Sequence, residues 1–229
     1  MHQQIKEIIL SDSNSLYRVT SAFINYSDNI IEFDYKKYKH IYADEITGMS
    51  LGRENEYIIG RYAAQLAVEN FLHYPLKKVK IKKGIFNYPY IEGTLPAVDI
   101  SLSHTRKNVF AVAYSRELVI GIDCEKIDVD STSIIYTQLT DGEKKLLAAI
   151  DNESMNAGIT AFWTMKESLS KAIKTGLTVS IDLLEITEVN VVHGGLEGKI
   201  GFFSQYAIRT WIVNDICISM AYPYMLHML

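Results

Sequence analysis

Phe162-Trp163-Thr164-Met165-Lys166-Glu167-Ser168-Leu169-Ser170-Lys171 carries the periodicity of a long amphipathic helix with charged residues on one side. Across residues 156–175, Ala161, Phe162, Met165, Leu169, Ala172 and Ile173 recur at three- and four-residue spacing, as on a helix with one apolar stripe. Glu167 and Lys171 are four apart, so they stand one above the other on the same side of that helix. About forty residues upstream, Leu118 to Cys124 reads as an apolar strand running into Glu125. Residues two apart on a strand point the same way, so Asp123 and Glu125 face one side and Cys124 the other. A Glu–Lys pair at this spacing is usually a solvated surface pair contributing about 0.2–0.5 kcal/mol. Here the pair lies beside Trp163 in a strongly apolar helix, and the strand acids close an apolar run. Three carboxylates in a partly dry, oxygen-only setting suit Mg²⁺, which takes carboxylates together with water and substrate phosphate.

Working outward, residues 54–72 read as a second long helix, with Gly60, Ala63, Ala64 and Ala67 giving it a slim face for close packing. Tyr74-Pro75 ends it, because proline disfavours helix in the residue before it. Tyr17–Ile24 alternates like a strand, and short strands are expected near 79–86, 98–103, 108–115 and 118–124, with Ser115-Arg116-Glu117 short enough for a hairpin turn. Residues 140–150 form a helix capped by Asp141 or Thr140, and Gly176 stops the helix that carries Glu167. Further strands follow at Leu184–Val192, Lys199–Phe203, Tyr206–Val213 and Ile216–Ala221, with Gly194-Gly195 as a turn. Each half thus pairs one long helix with several strands, an α+β pattern.

Composition narrows the classes of function. The 229 residues contain 48% hydrophobic and 22% charged residues, ordinary for a globular protein with one large or two small domains. No run approaches the roughly 20 apolar residues of a membrane helix. Met1–Glu7 lacks the pattern of a signal peptide. Two cysteines, Cys124 and Cys217, stand in no metal spacing, which points to a reducing cytoplasm and away from zinc. A net charge of −4 argues against general nucleic-acid binding. The basic run Lys77–Lys83 alternates with Val79 and Ile81 as the wet face of an edge strand does, where lysine guards against aggregation.

Four ordered motifs resemble those of the 4′-phosphopantetheinyl transferases of the surfactin-synthetase type. They are Gly60-Arg61-Tyr62-Ala63-Ala64, Ser101-Leu102-Ser103-His104-Thr105, Gly121-Ile122-Asp123-Cys124-Glu125, and Trp163-Thr164-Met165-Lys166-Glu167-Ser168-Leu169-Ser170-Lys171. The resemblance covers about residues 50–185, and the last two motifs are the specific ones. It implies two similarly folded, pseudo-twofold-related halves, each a small, mostly antiparallel sheet packed with a long helix. The halves would divide as 1–118 and 119–229, with the active site between them.

The activity implied is transfer of the 4′-phosphopantetheine of coenzyme A to a serine of an apo acyl or peptidyl carrier protein, with release of 3′,5′-ADP. Negative charge builds on the diphosphate as it breaks, so positive charge must be placed in advance. The implied metal ligands are Asp123, Glu125 and Glu167, holding Mg²⁺ or Mn²⁺. Glu167 is also the candidate general base for the serine hydroxyl. Lys166 and Lys171 would neutralise phosphate charge, with Lys166 reaching round the helix. Arg61, whose guanidinium fork matches phosphate oxygens, is a candidate ligand of coenzyme A, and Arg53 a weaker one. His104 resembles a family histidine that bonds a coenzyme A phosphate, and Ser103, placed by strand alternation on a polar face, would assist it.

One departure stands out. Many members carry a lysine immediately before a proline where this chain has Tyr88-Pro89, so either coenzyme A is held more weakly, with Tyr88 offering only a stacking or hydrogen-bond contact, or Lys82 or Lys83 substitutes. A magnesium-dependent diphosphate hydrolase and a non-catalytic coenzyme A or carrier-binding paralogue remain the alternatives. Members of this length commonly act as monomers, which is the expectation here.

Overall fold

The computed structural model describes residues 1–27, 35–75, 80–93, 97–150 and 155–229. The first half contains strands β1 (His2–Ser11) and β2 (Leu16–Asn25), helices α1 (Tyr35–Ile41), α2 (Ala43–Ile46) and α3 (Leu51–Leu72), and strands β3 (Lys80–Lys83), β4 (Pro89–Glu92), β5 (Val98–Thr105) and β6 (Asn108–Ser115). The second half contains β7 (Gly121–Lys126), α4 (Val129–Thr137), α5 (Asp141–Ala149), α6 (Met155–Ala172), β8 (Ile186–Val192), β9 (Gly195–Ile200), β10 (Tyr206–Val213), β11 (Ile216–Pro223) and β12 (His227–Met228). The chain divides into two compact units, Met1–Glu117 with Met228–Leu229, and Leu118–His227.

Each unit has one five-stranded antiparallel sheet and one long helix laid on it. The orders are β12-β1-β2-β6-β5 and β7-β11-β10-β9-β8, with β3 and β4 forming a separate two-stranded ribbon. In the first unit the fully buried Ile59, Ala63, Ala64 and Ala67 of α3 pack on Ala22, Ile24, Ala111 and Ala113. The alanines bring backbone close to backbone, as their slim side chains dictate. In the second unit Phe162, Met165 and Leu169 of α6, all fully buried, pack among Leu196, Ile208, Cys217 and Ala221. Burying side chains of this size contributes about 1.5–3 kcal/mol each. This packing fixes which side of α6 is left to carry chemistry.

The local signals explain most boundaries. Thr140 caps α5: its hydroxyl accepts the Glu143 N–H at 3.1 Å, while Glu143 accepts the Thr140 N–H at 2.9 Å. This reciprocal box settles the choice between Thr140 and Asp141. Helix α6 ends on Lys174 rather than Gly176. Lys174 adopts φ 58°, Thr175 donates to the Ser170 carbonyl and Lys174 to the Lys171 carbonyl, which together make a Schellman close. Gly176 also has positive φ but lies beyond that close.

Three strand expectations change. Ser115-Arg116-Glu117 is no hairpin turn, because β6 has both neighbours taken by β2 and β5 while β7 pairs with β11. The strand expected at 79–86 stops at Lys83, and a turn through Phe86 and Asn87, both at positive φ, returns the chain as β4. The strand expected at Lys199–Phe203 instead begins at Gly195 and gives way to a 3₁₀ turn over Gly201–Phe203. Gly195, at φ +159°, lies so close to β10 that a Cβ would stand 2.0 Å from the Thr210 carbonyl oxygen. Lys77, Lys78 and Val79 of the basic run lie outside the described residues.

Candidate functional site

The site in the second unit begins with a close approach of backbone. A Cβ on Gly121 would lie 2.0 Å from the Ser168 carbonyl oxygen and 2.3 Å from the Ala172 nitrogen, so only glycine lets β7 press onto α6 at this depth. Two residues on, Asp123 faces the same helix. In register, Asp123 stands opposite Ser219 of β11, and Ser219 opposite Thr210 of β10. The Ser219 hydroxyl lies 2.7 Å from the hydroxyls of both Thr164 and Thr210, and all three residues are fully buried. This polar chain inside an apolar interface sets where α6 sits along the sheet, because displacing it would strand buried hydroxyls.

That placement delivers Lys171 to the acids. Its Nζ is 2.5 Å from Asp123 Oδ1 and 3.9 Å from Glu167 Oε2. Burial pushes the Lys171 ammonium down, but the Asp123 and Glu167 carboxylates outweigh it and hold its pKa above the usual lysine value. Glu167 moves the other way. Burial, followed by the charge of Asp123, raises its carboxyl to about 7, with a smaller contribution from Glu125, against the opposing pull of Lys171 and the Trp163 indole N–H. Glu167 thus lies where a carboxyl can hold or accept a proton near neutral pH.

The donors suit magnesium: hard carboxylate oxygens, with mutual repulsion on Glu167 that a divalent cation relieves. Among the described residues no three acid, histidine or cysteine groups form a ready metal cage, and the Lys171 ammonium rests on Asp123. The set therefore fits an ion that keeps several of its waters and shares its shell with substrate phosphate, as Mg²⁺ does.

Lys166 is not with this group. It is fully buried, with Nζ 2.8 Å from Oε2 of the equally buried Glu143. The approach is that of an ion pair, although the angle falls short of a hydrogen bond. Lys171 lies five positions after Lys166, which turns their side chains about 140° apart on a helix of 3.6 residues per turn. The expectation that Lys166 reaches round to a phosphate is therefore corrected: its charge is already committed to Glu143. Sequence reasoning missed Glu143, yet Thr140-x-x-Glu143 is the pattern of a capping box and could have marked it.

The first unit carries a cationic cluster. Arg61 is 3% exposed, and its Nε and Nη2 are buried with no hydrogen-bond partner. Its guanidinium carbon lies 4.0 Å from the centre of the Tyr57 ring, and Lys83 Nζ lies 5.4 Å from the same ring. Burial, then the charges of Arg61 and Arg53, push the Lys83 ammonium below its usual value. Lys80 and Lys82 are paired with Glu45 and Glu92 respectively. Tyr88 packs its ring against Gly84, where a Cβ would stand 2.6 Å from it, and Lys83 is the register partner of Pro89.

His104 lies on β5 with Nδ1 4.0 Å from Glu56 Oε2 of α3 and is half exposed. Ser103 is buried rather than on a polar face. The face it shares with Ser101 is covered as well as the face of Ile100, so the alternation of residue types misleads about exposure. Consecutive strand residues point to opposite sides, so Ser103 and His104 do not act from one surface.

Residues 119–221, which include Asp123, Glu125, Glu167 and Lys171, match the 4′-phosphopantetheinyl transferase superfamily. No curated protein matches the chain. No helix among the described residues is long and apolar enough to cross a membrane.

Proposed function

We propose that the protein transfers the 4′-phosphopantetheine of coenzyme A to a serine hydroxyl of an apo acyl or peptidyl carrier protein. The observation that carries this reading is the Lys171 ammonium held on Asp123 beside a Glu167 carboxyl raised to about 7. A serine hydroxyl is a weak nucleophile at neutral pH and needs a base with a matched pKa. Glu167 accepts the serine proton as the serine oxygen bonds to the β-phosphorus. The bond from that phosphorus to the bridging oxygen breaks, and 3′,5′-ADP leaves with the electron pair. Lys171 meets the negative charge that gathers on the phosphate oxygens. Asp123, Glu125 and Glu167 are the residues that would hold Mg²⁺, or Mn²⁺ in its place, which when bound supplies further charge neutralisation on the diphosphate.

Arg61, with Arg53 and Lys83, is assigned to a phosphate of coenzyme A, because two buried guanidinium nitrogens lack acceptors and the charges that act on Lys83 are those of Arg61 and Arg53. Lys83 supplies the cation that Tyr88 cannot. His104 is assigned to a second phosphate contact, and Ser103 contributes through packing. The chain is assigned to the reducing cytoplasm as a monomer. Cys124 and Cys217 are buried and form no disulfide with each other.

The test is intact-mass analysis of an apo carrier protein incubated with coenzyme A, Mg²⁺ and this protein. A gain of one phosphopantetheine, abolished by chelation and by Asp123→Ala, supports the transferase. Release of 3′,5′-ADP without a gain on any carrier points to the hydrolase. Coenzyme A binding without either product leaves a binding module.

A further inference from the structure

Glu143 does three things at once. Its Oε2 accepts the Thr140 N–H at 2.9 Å and closes the cap of α5. Its Oε1 accepts the Ile186 N–H at 2.9 Å, at the start of β8. The same Oε2 lies 2.8 Å from Lys166 Nζ on α6. One fully buried carboxylate therefore joins α5, β8 and α6, and its contact on α6 is the residue immediately before Glu167.

As a source of stability this pair is a poor choice. An ammonium taken wholly out of water keeps a large desolvation penalty, and Lys166 has no hydrogen bond of good angle to offset it. A buried ion pair is often no more stabilising than packed apolar residues of similar volume, whereas it is far more directional. Thr164 meets Ser219, and Ser168 and Ala172 meet Gly121, on the side of α6 that faces β7 and β11. They fix the depth and position of the helix. A grip on the far side is what resists rotation of the helix about its own axis, and Lys166 supplies one.

We propose that Lys166 and Glu143 are positioning residues. Their pair holds α6 at the rotation that presents Glu167 and Lys171 to Asp123, and Lys166 does not touch the substrate. The proposal rests on the transferase reading for its kinetic consequences, but its effect on metal binding does not require turnover.

The experiment compares wild type, Lys166→Met, the double variant Lys166→Met/Glu143→Gln, and Glu143→Asp. Each is followed by thermal unfolding, by Mn²⁺ affinity from electron paramagnetic resonance without coenzyme A, and by kcat and KM of transfer. Lys166→Met alone strands a buried carboxylate and should lower Tm sharply. The double variant removes both charges and should recover most of that loss. In the recovered protein kcat and Mn²⁺ affinity should still fall by about 10–100-fold, as for residues that orient a metal's ligands, with KM for coenzyme A unchanged. Glu143→Asp keeps the charges but shortens the arm, and should show the same split should the double variant fail to fold.

A raised KM for coenzyme A with kcat intact would mean that Lys166 reaches a phosphate, and would overturn the proposal. Full recovery of kcat and Mn²⁺ affinity along with Tm would reduce the pair to scaffolding and overturn it too. If wild type modifies no carrier, the transferase reading fails, and Mn²⁺ affinity alone decides: weaker in the stable variants supports positioning, unchanged or absent throughout sinks it.

Discussion

The two units hold opposite electrostatic excesses, and each solves a different problem. In the second, burial, then the charge of Asp123, drives Glu167 up to about 7, and the carboxylates of Asp123 and Glu167 hold Lys171 up against its own burial. In the first, Arg61 and Lys83 share the Tyr57 ring, and burial, then the charges of Arg61 and Arg53, push the Lys83 ammonium down. An acid excess lowers its energy by taking up a cation, and a base excess by taking up an anion. The two clusters also differ in how they are built. The acid cluster is set by a helix pressed on a sheet, whereas the basic cluster is set by a guanidinium resting on an aromatic face.

The strongest way to break the comparison is Asp123→Ala. It removes the partner of Lys171 and one carboxylate of the acid set, and should lower the rate of transfer by at least about 10²–10³-fold, read by mass gain on an apo carrier. A rate within a few-fold of wild type would mean that the acid cluster is not the reacting centre.

Glu167→Gln sharpens it on two readouts. The rate of transfer should fall by about 10²–10⁴-fold if Glu167 is the base. In metal-free protein the same change should raise Tm at pH 8 and leave it unchanged at pH 4. The folded-state pKa of about 7 lies above the ordinary value of 4.5. The folded state therefore holds a proton that the unfolded state gives up between those values, and stability declines as pH rises from 4.5 to 7. The glutamine carries no such penalty. An unchanged Tm at pH 8 would show that Glu167 is not under this repulsion.

Arg61→Met keeps the bulk against Tyr57 and removes the charge. Coenzyme A should bind more weakly by roughly tenfold or more by calorimetry, as expected for lost hydrogen bonds to a charged group, while Mn²⁺ affinity stays at the wild-type value. If both affinities moved, the two clusters would not be separable. The smallest effect belongs to Lys82→Ala. It breaks only the exposed pair with Glu92, so unfolding free energy should change by no more than about 1 kcal/mol, and coenzyme A affinity should not change. A clear loss of affinity would hand Lys82 the role assigned to Lys83.

The α+β class, both long helices, the side Asp123 shares with Glu125 on their strand and the side Glu167 shares with Lys171 on their helix could be read from periodicity, because helices and strands have fixed repeats. Strands without a clean pattern could not. β1 is exposed along most of its length, with Leu10 its one fully buried residue, and β9 carries Gly195 and Gly198, which hide the strand signal. The fifteen tyrosines also resisted reading. Several prove to be polar ties inside the first unit, with the Tyr42 hydroxyl accepting the Ile81 N–H and the Tyr38 hydroxyl donating to Gln65.

From the sequence came what is local: that α3, α5 and α6 are helical, which acids share a side of their element, and that α5 starts at Thr140 or Asp141. Those follow from the repeat of the backbone and from short-range hydrogen bonds. Tertiary packing alone put Lys166 on Glu143 and Lys171 on Asp123, and left Arg61 buried with unmet donors while Lys82 is paired. The reason is physical. The fate of a charge depends on partners distant in sequence, here Glu143 for Lys166 and Asp123 for Lys171, and no local repeat encodes which distant carboxylate a lysine will meet.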